Sequence, residues 1–200
     1  MLLDSYIYSF IKLVVILNPI TMYAIFITYT RSINKKEVQD IAVKTTLSVV
    51  LTFLITTWFG IEIFNILGIN LASLQIAGGL SLLISSLRGL NQDADTNLVT
   101  DSNIAIVPLS IPIIAGPASL SVLMSLSNDK FSSHNFLNKI SISAASITLT
   151  LLLGTLFYFS KSIESLIGEI TINIISRLSH LILACISVGL IYSGFSYYIH

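Results

Sequence analysis

Six apolar stretches, at 6–29, 45–64, 71–90, 104–127, 140–160 and 178–198, take up most of the chain. At a rise of about 1.5 Å per residue, each can cross about 30 Å of hydrocarbon as a helix. The pattern predicts an all-α membrane protein of six transmembrane helices, a single integral membrane domain over 1–200. Two stretches are broken near their centres, the first at Asn18-Pro19 and the fourth at Gly116-Pro117. Proline lacks a backbone donor and clashes with the carbonyl one turn back, so helices 1 and 4 are expected to be interrupted there. Proline also suits the first position of a helix, so a fresh half-helix is expected from Pro19 and from Pro117. Pro108 and Pro112 make the start of the fourth stretch irregular as well.

Small and hydroxyl residues recur at steps of four: Thr52, Thr56 and Gly60 after Ser48; Ser73, Ala77, Ser81, Ser85 and Gly89; Ser146, Thr150 and Gly154. Such rows let helix backbones approach closely in lipid, and packing is the plain reading of each, with Gly78 and Gly79 added in the third stretch. The rows also expose an internal repeat. Pro19 aligns with Pro117 at a spacing of 98, which sets Thr21 on Ser119. Thr52, Thr56 and Gly60 align with Ser146, Thr150 and Gly154 at 94, and the run 77–87 aligns with 178–188 at 101. Three spans per copy, about 1–95 and 100–200, force the second copy to enter the membrane from the opposite side. Two inverted three-helix repeats with breaks at corresponding positions are the pattern by which transporters build a site near the bilayer midplane.

Charge sets the expected orientation. Only 10% of residues are charged, against about a quarter in soluble proteins, and mean hydropathy is +0.88. Arg31, Lys35, Lys36 and Lys44 cluster after the first span, and Arg88, Lys161 and Arg177 fall on the same side of a six-span chain. Lys130 and Lys139 fall opposite, so the positive-inside rule places both termini outside. The first stretch carries Asp4, lacks a basic flank and has no small-x-small site, so it reads as a retained helix and not a cleaved signal. Lys12 reads as a side chain that snorkels to the nearer interface. No basic surface supports nucleic-acid binding. The single Cys185 excludes an internal disulfide. Asp93, Asp95 and Asp101 lack the Gly and Glu of a calcium loop, and the three His are scattered, so neither a metal nor another cofactor is expected.

The runs Leu17-Asn-Pro-Ile, Leu74-Gln-Ile-Ala-Gly-Gly-Leu, Val107-Pro-Leu-Ser-Ile-Pro-Ile-Ile-Ala-Gly-Pro-Ala and Arg177-Leu-Ser-His-Leu-Ile-Leu resemble the MarC family of bacterial inner-membrane proteins. The likeness covers essentially the whole chain. It implies six spans arranged as in LysE-type amino-acid exporters, and an inner-membrane location, but no substrate. Where the family has Gly after Arg-Leu-x this chain has His180, which aligns with Gly79 and puts close packing there in question.

A half-helix at each break aims N–H groups and the positive dipole end at a cavity, suiting a carboxylate. The carbonyls before each break suit a cation or ammonium. Asn18, Pro19, Thr21, Gly116, Pro117 and Ser119 are thus the candidate binding residues for a small, amino-acid-like solute, and the expected class is a secondary transporter or exporter, not an enzyme. Two other readings stand beside it. Ser119 and His180 would serve an intramembrane serine protease as a dyad, although Leu120 stands where such sites favour Gly. A membrane helper that transports nothing is the other. Besides the bilayer and the solute, a second copy of the chain is an allowed partner.

Overall fold

A computed structural model describes residues 2–30, 33–90, 114–127, 135–167 and 169–199, and among them there is no strand. In order the helices are α1 (Leu2–Leu17), α2 (Pro19–Thr30), α3 (Lys35–Ile66), α4 (Leu71–Leu90), α5 (Pro117–Ser127), α6 (Asn135–Tyr158), α7 (Ser160–Ile167) and α8 (Glu169–Ile199). Five segments are long and apolar enough to span a membrane: Leu2–Ile27, Lys35–Ile66, Leu71–Leu90, Phe136–Tyr158 and Arg177–Ile199. The fourth stretch contributes only the shorter α5, because Pro108, Pro112 and the rest of its first half lie outside the described residues, as do Asp93, Asp95, Asp101, Arg31 and Lys130. Lys139, expected in a loop, lies inside α6.

Local signals explain where the helices start and stop. Asn34 caps α3 by accepting the Glu37 N–H at 3.0 Å. At the other end Gly68 takes a φ of +68°, and its N–H and that of Ile69 close back on the Asn65 and Phe64 carbonyls. This left-handed glycine stop satisfies carbonyls that would otherwise be orphaned. Asn70 then caps α4 through the Ser73 N–H at 2.7 Å.

The outer surface is as apolar as the interior. Along α3 the side chains of Val43, Leu47, Leu51, Ile55 and Phe59 are exposed, whereas Val38, Ala42, Val49 and Phe53 are buried together with Thr45, Thr56, Thr57 and Gly60. An apolar stripe of this length has no place in water; in lipid it is the surface the solvent wets. Hydrophobic burial gives helices little reason to associate there, so close backbone approach must do so. The buried threonines return their hydroxyls to the carbonyl one turn back, as Thr56 does to Thr52 and Thr57 to Phe53, both at 2.8 Å.

Two antiparallel pairs and one parallel pair make the frame. In the pair α4/α8, a Cβ added at Gly79 would lie 2.8 Å from the Ser187 carbonyl, and one at Gly194 would lie 2.7 Å from that of Ala72. Gly154 of α6 faces Thr46 of α3, and Trp58 of α3 donates to Ser143 of α6 at 3.1 Å, so these two also run antiparallel. The unit α1–α2 instead runs parallel to α6: Leu2 and Ser5 meet Ser141 and Asn138 near the starts, and Phe26 stacks on Phe157 with centroids 4.3 Å apart near the ends. Lys12 is exposed with its ammonium 4.5 Å from the Tyr8 ring centroid, one turn nearer the α1 start. α5 packs on α3 and α4, while α2 packs on α6 and α8.

The row expected to pack α4 lies elsewhere. Ser73, Ala77, Ser81 and Ser85 are exposed, and the buried face carries Ala72, Gly78, Gly79 and Ser86. The reason is geometric: each step of four overshoots a turn of 3.6 residues by about 40°, so a row of five winds through about 160°. Gly89, at its far end, therefore returns to a neighbour. In α3 and α6, Thr52 is half-buried while Thr56, Gly60, Ser146, Thr150 and Gly154 are buried.

Gly189 has nothing within 4 Å of an added Cβ. Gly79→Val and Gly194→Val should therefore each destabilise the detergent-solubilised protein by roughly 1–3 kcal/mol, and Gly189→Ala should be neutral or stabilising, as read from thermal unfolding of the three variants.

Candidate functional site at two helix breaks

The first break is one residue long. Asn18 has a φ of +39°, a left-handed conformation that asparagine tolerates, and the proline after it disfavours the right-handed helical alternative. Helical bonding resumes at once on both sides: the Asn18 N–H reaches the Val14 carbonyl at 2.9 Å, and the Met22 N–H reaches that of Asn18 at 3.1 Å. The Asn18 side-chain oxygen faces the Thr21 N–H at 3.4 Å, a long capping contact at the third position of α2. Pro19 has no N–H, so the Val15 carbonyl, four residues earlier, loses its helical donor. Asn18 and Pro19 are half-buried, and Leu17 and Thr21 are buried. The Thr21 hydroxyl has no hydrogen-bond partner.

The second break has the same plan and a different ending. α5 starts at Pro117 after the buried Gly116, and the Leu120 N–H bonds the Gly116 carbonyl at 3.1 Å. Ser119, at the third position of its helix like Thr21, points its hydroxyl at the carbonyls of Ile114 and Gly116, each 2.9 Å away. Gly116 has no side chain to cap the first turn. Gly78 of α4 covers this break: a Cβ there would come within 2.7 Å of the Ala118 nitrogen and 2.8 Å of the Pro117 carbonyl carbon. Only glycine allows α4 this near the start of α5.

Length places both breaks deep. α2 with 12 residues and α5 with 11 reach about 18 and 16 Å, each near half of a 30 Å hydrocarbon layer. First-turn N–H groups without acceptors, together with carbonyls without donors, can bind a molecule carrying both charges.

The structure does not bring Ser119 and His180 together. Ala118, beside Ser119, lies against Gly78, whereas the His180 ring fills the space over Gly89. Eleven residues of α4 separate these contacts, about 16 Å along the axis. The Ser119 hydroxyl is also held by two carbonyls instead of a base. His180 is buried at 6% exposure, and the packing doubt raised by its size is answered by a glycine on the opposite helix. That pairing was not legible beforehand, since it links positions far apart in sequence. Among the described residues no cluster of His, Cys, Asp or Glu could hold a metal.

The family model described as MarC family integral membrane protein matches residues 3–199. Among curated proteins the chain is 33% identical to the membrane protein YvbG of Bacillus subtilis, over 97% of this chain and 95% of that one. It is 32% identical to a UPF0056 membrane protein of Methanocaldococcus jannaschii, covering 96% of each, and 31% identical to one from Buchnera aphidicola, covering 96% and 92%. No solved structure gives a significant match.

The contact between His180 and Gly89 predicts coupled variants. Gly89→Val alone should cost roughly 1–3 kcal/mol of stability, and His180→Gly in the same chain should recover most of it, measured as a double-mutant cycle of thermal unfolding.

Proposed function

We propose a function within a family: the chain belongs to the MarC family of integral membrane proteins, and in it acts as a secondary transporter or exporter of a small, polar, amino-acid-like solute. The observation that carries this reading is the pair of helix breaks at Asn18-Pro19, both half-buried, and at the buried Gly116 with the exposed Pro117. Each begins a helix of half-membrane length with a buried hydroxyl at its third position. Packed spans have no need of two such defects, each of which leaves backbone groups that lipid cannot satisfy. A solute with a carboxylate and an ammonium satisfies both kinds.

The same reading holds six spans as two inverted three-helix repeats, in the inner membrane, with both termini outside. Several contacts support it. The pairs α4/α8 and α3/α6 each join copies of the same span and run antiparallel. The contacts of α5 with α3 and α4 are mirrored by those of α2 with α6 and α8. Rocking one repeat against the other around the breaks would give alternating access. The separation of Ser119 from His180 favours a carrier over a hydrolase.

Purified protein in liposomes, screened with labelled amino acids and other small zwitterions, tests the reading. Flux is expected for at least one, falling at least tenfold in Asn18→Ala and in Gly116→Leu while membrane insertion is unchanged. Correctly folded protein that moves none of them would overturn the proposal, and full flux in both variants would remove the breaks from the site.

A further inference from the structure

The seam between α4 and α8 holds one buried titratable group that the two breaks do not use. His180 stands three residues into the span Arg177–Ile199 and is 6% exposed. A Cβ added at Gly89 would be nearly equidistant from Nδ1, Cε1 and Nε2 of its ring, which puts that Cβ on the ring axis. The ring is therefore laid flat over the Gly89 backbone, and neither nitrogen points at it. Nδ1 is buried and has no hydrogen-bond partner. The two buried hydroxyls of the seam are committed to their own helices, Ser86 to the Leu83 carbonyl at 2.9 Å and Ser187 to that of Ala184 at 2.6 Å.

Charge around the ring is of the wrong sign to help a cation. Arg88, next to Gly89 on α4, and Arg177, one turn before His180 on α8, are both exposed and both cationic. The other helices packed on α8 carry Tyr23 and Tyr29 in α2 and Lys161 and Glu164 in α7, and α8 itself begins with Glu169. Glu169 precedes His180 by eleven residues, about 16 Å along the axis, and Glu164 lies further back on α7. Asp93, Asp95 and Asp101 lie outside the described residues. Among the described residues, then, no carboxylate stands beside the ring. This makes the fit depend on protonation. In the neutral ring Nδ1 can be a lone pair; a second proton makes both nitrogens donors and puts a full charge where nothing accepts it. The start of the span is one turn away, so a ring that leaves Gly89 has headgroup water within reach.

We propose that His180 is a proton-operated fastener of the α4/α8 seam. Neutral, the ring is seated on Gly89 and holds the two helices together at this end. Protonated, it swings out to water and lets them part. α4 belongs to the first half of the chain and α8 to the second, so the movement is one half relative to the other. The sign follows from the seated form being the neutral one. Fastening is complete above roughly pH 7 and is lost as the pH falls below about 6.5, the ordinary value of a histidine in water. The fastener needs no solute and stands apart from the transport reading.

The test is the distance between two spin labels on the full-length protein in liposomes, in a Cys185→Ser background. One pair, Leu87→Cys with Leu181→Cys, uses exposed positions beside Gly89 and His180. A second, Leu80→Cys with Val188→Cys, uses exposed positions beside the Gly79–Ser187 contact farther along the seam. With His180 in place, the first pair should lengthen by at least about 2 Å, the scale of helix shifts in switching proteins, as the pH falls from about 8 to 5. The second pair should move by less than half as much. His180→Phe and His180→Gln take no proton there, so in each the first pair should keep its distance at both pH values; if one variant fails to fold, the other decides. No change in the first pair, a shortening at acid pH, or the same lengthening in the folded variants overturns the fastener. Equal movement of both pairs would mean general loosening in acid and would overturn it too.

Discussion

Every backbone N–H and C=O inside a bilayer must find a partner, and this requirement governs the molecule. A helix meets it by construction, which is why the described residues are helical wherever they are long and apolar. The chain departs from that solution at two prolines. Pro19 and Pro117 each remove one donor and begin a new helix, so each leaves polar groups that lipid cannot satisfy. Neighbouring helices pack around both breaks. α4 does so at the second break with a glycine against the Pro117-Ala118 backbone, and the parallel run of α6 along α1–α2 brings a buried face beside the first.

Close approach holds this frame together. Gly79, Gly194 and Gly154 each stand where a Cβ would meet a backbone or side-chain atom of the facing helix. The outward faces are left to leucine, isoleucine and phenylalanine, which lipid solvates without gain or loss. Most hydroxyls on the inward faces are closed onto carbonyls; among the described residues those of Thr21, Thr150 and Ser160 are buried without a hydrogen-bond partner.

Much of this could be read along the chain because its causes are local. The onset of α2 at Pro19 and of α5 at Pro117 follows from proline's own geometry. Periodicity was less faithful: the row from Ser73 to Gly89 winds around α4, so the face that packs could not be taken from spacing alone. Contacts between distant helices were the hardest to anticipate. His180 is large for its place, and the glycine that makes room for it, Gly89, stands on another helix far away in the sequence, where no local pattern links the two.

The account stands on the breaks being openings to a solute path and not mere kinks. Cysteine accessibility measures this most directly, in a Cys185→Ser background and in intact membranes. Asn18→Cys and Gly116→Cys should react with a membrane-impermeant methanethiosulfonate reagent, while Leu51→Cys and Leu151→Cys, whose side chains face lipid, should not. Both break positions staying as silent as the lipid-facing controls would contradict a site there.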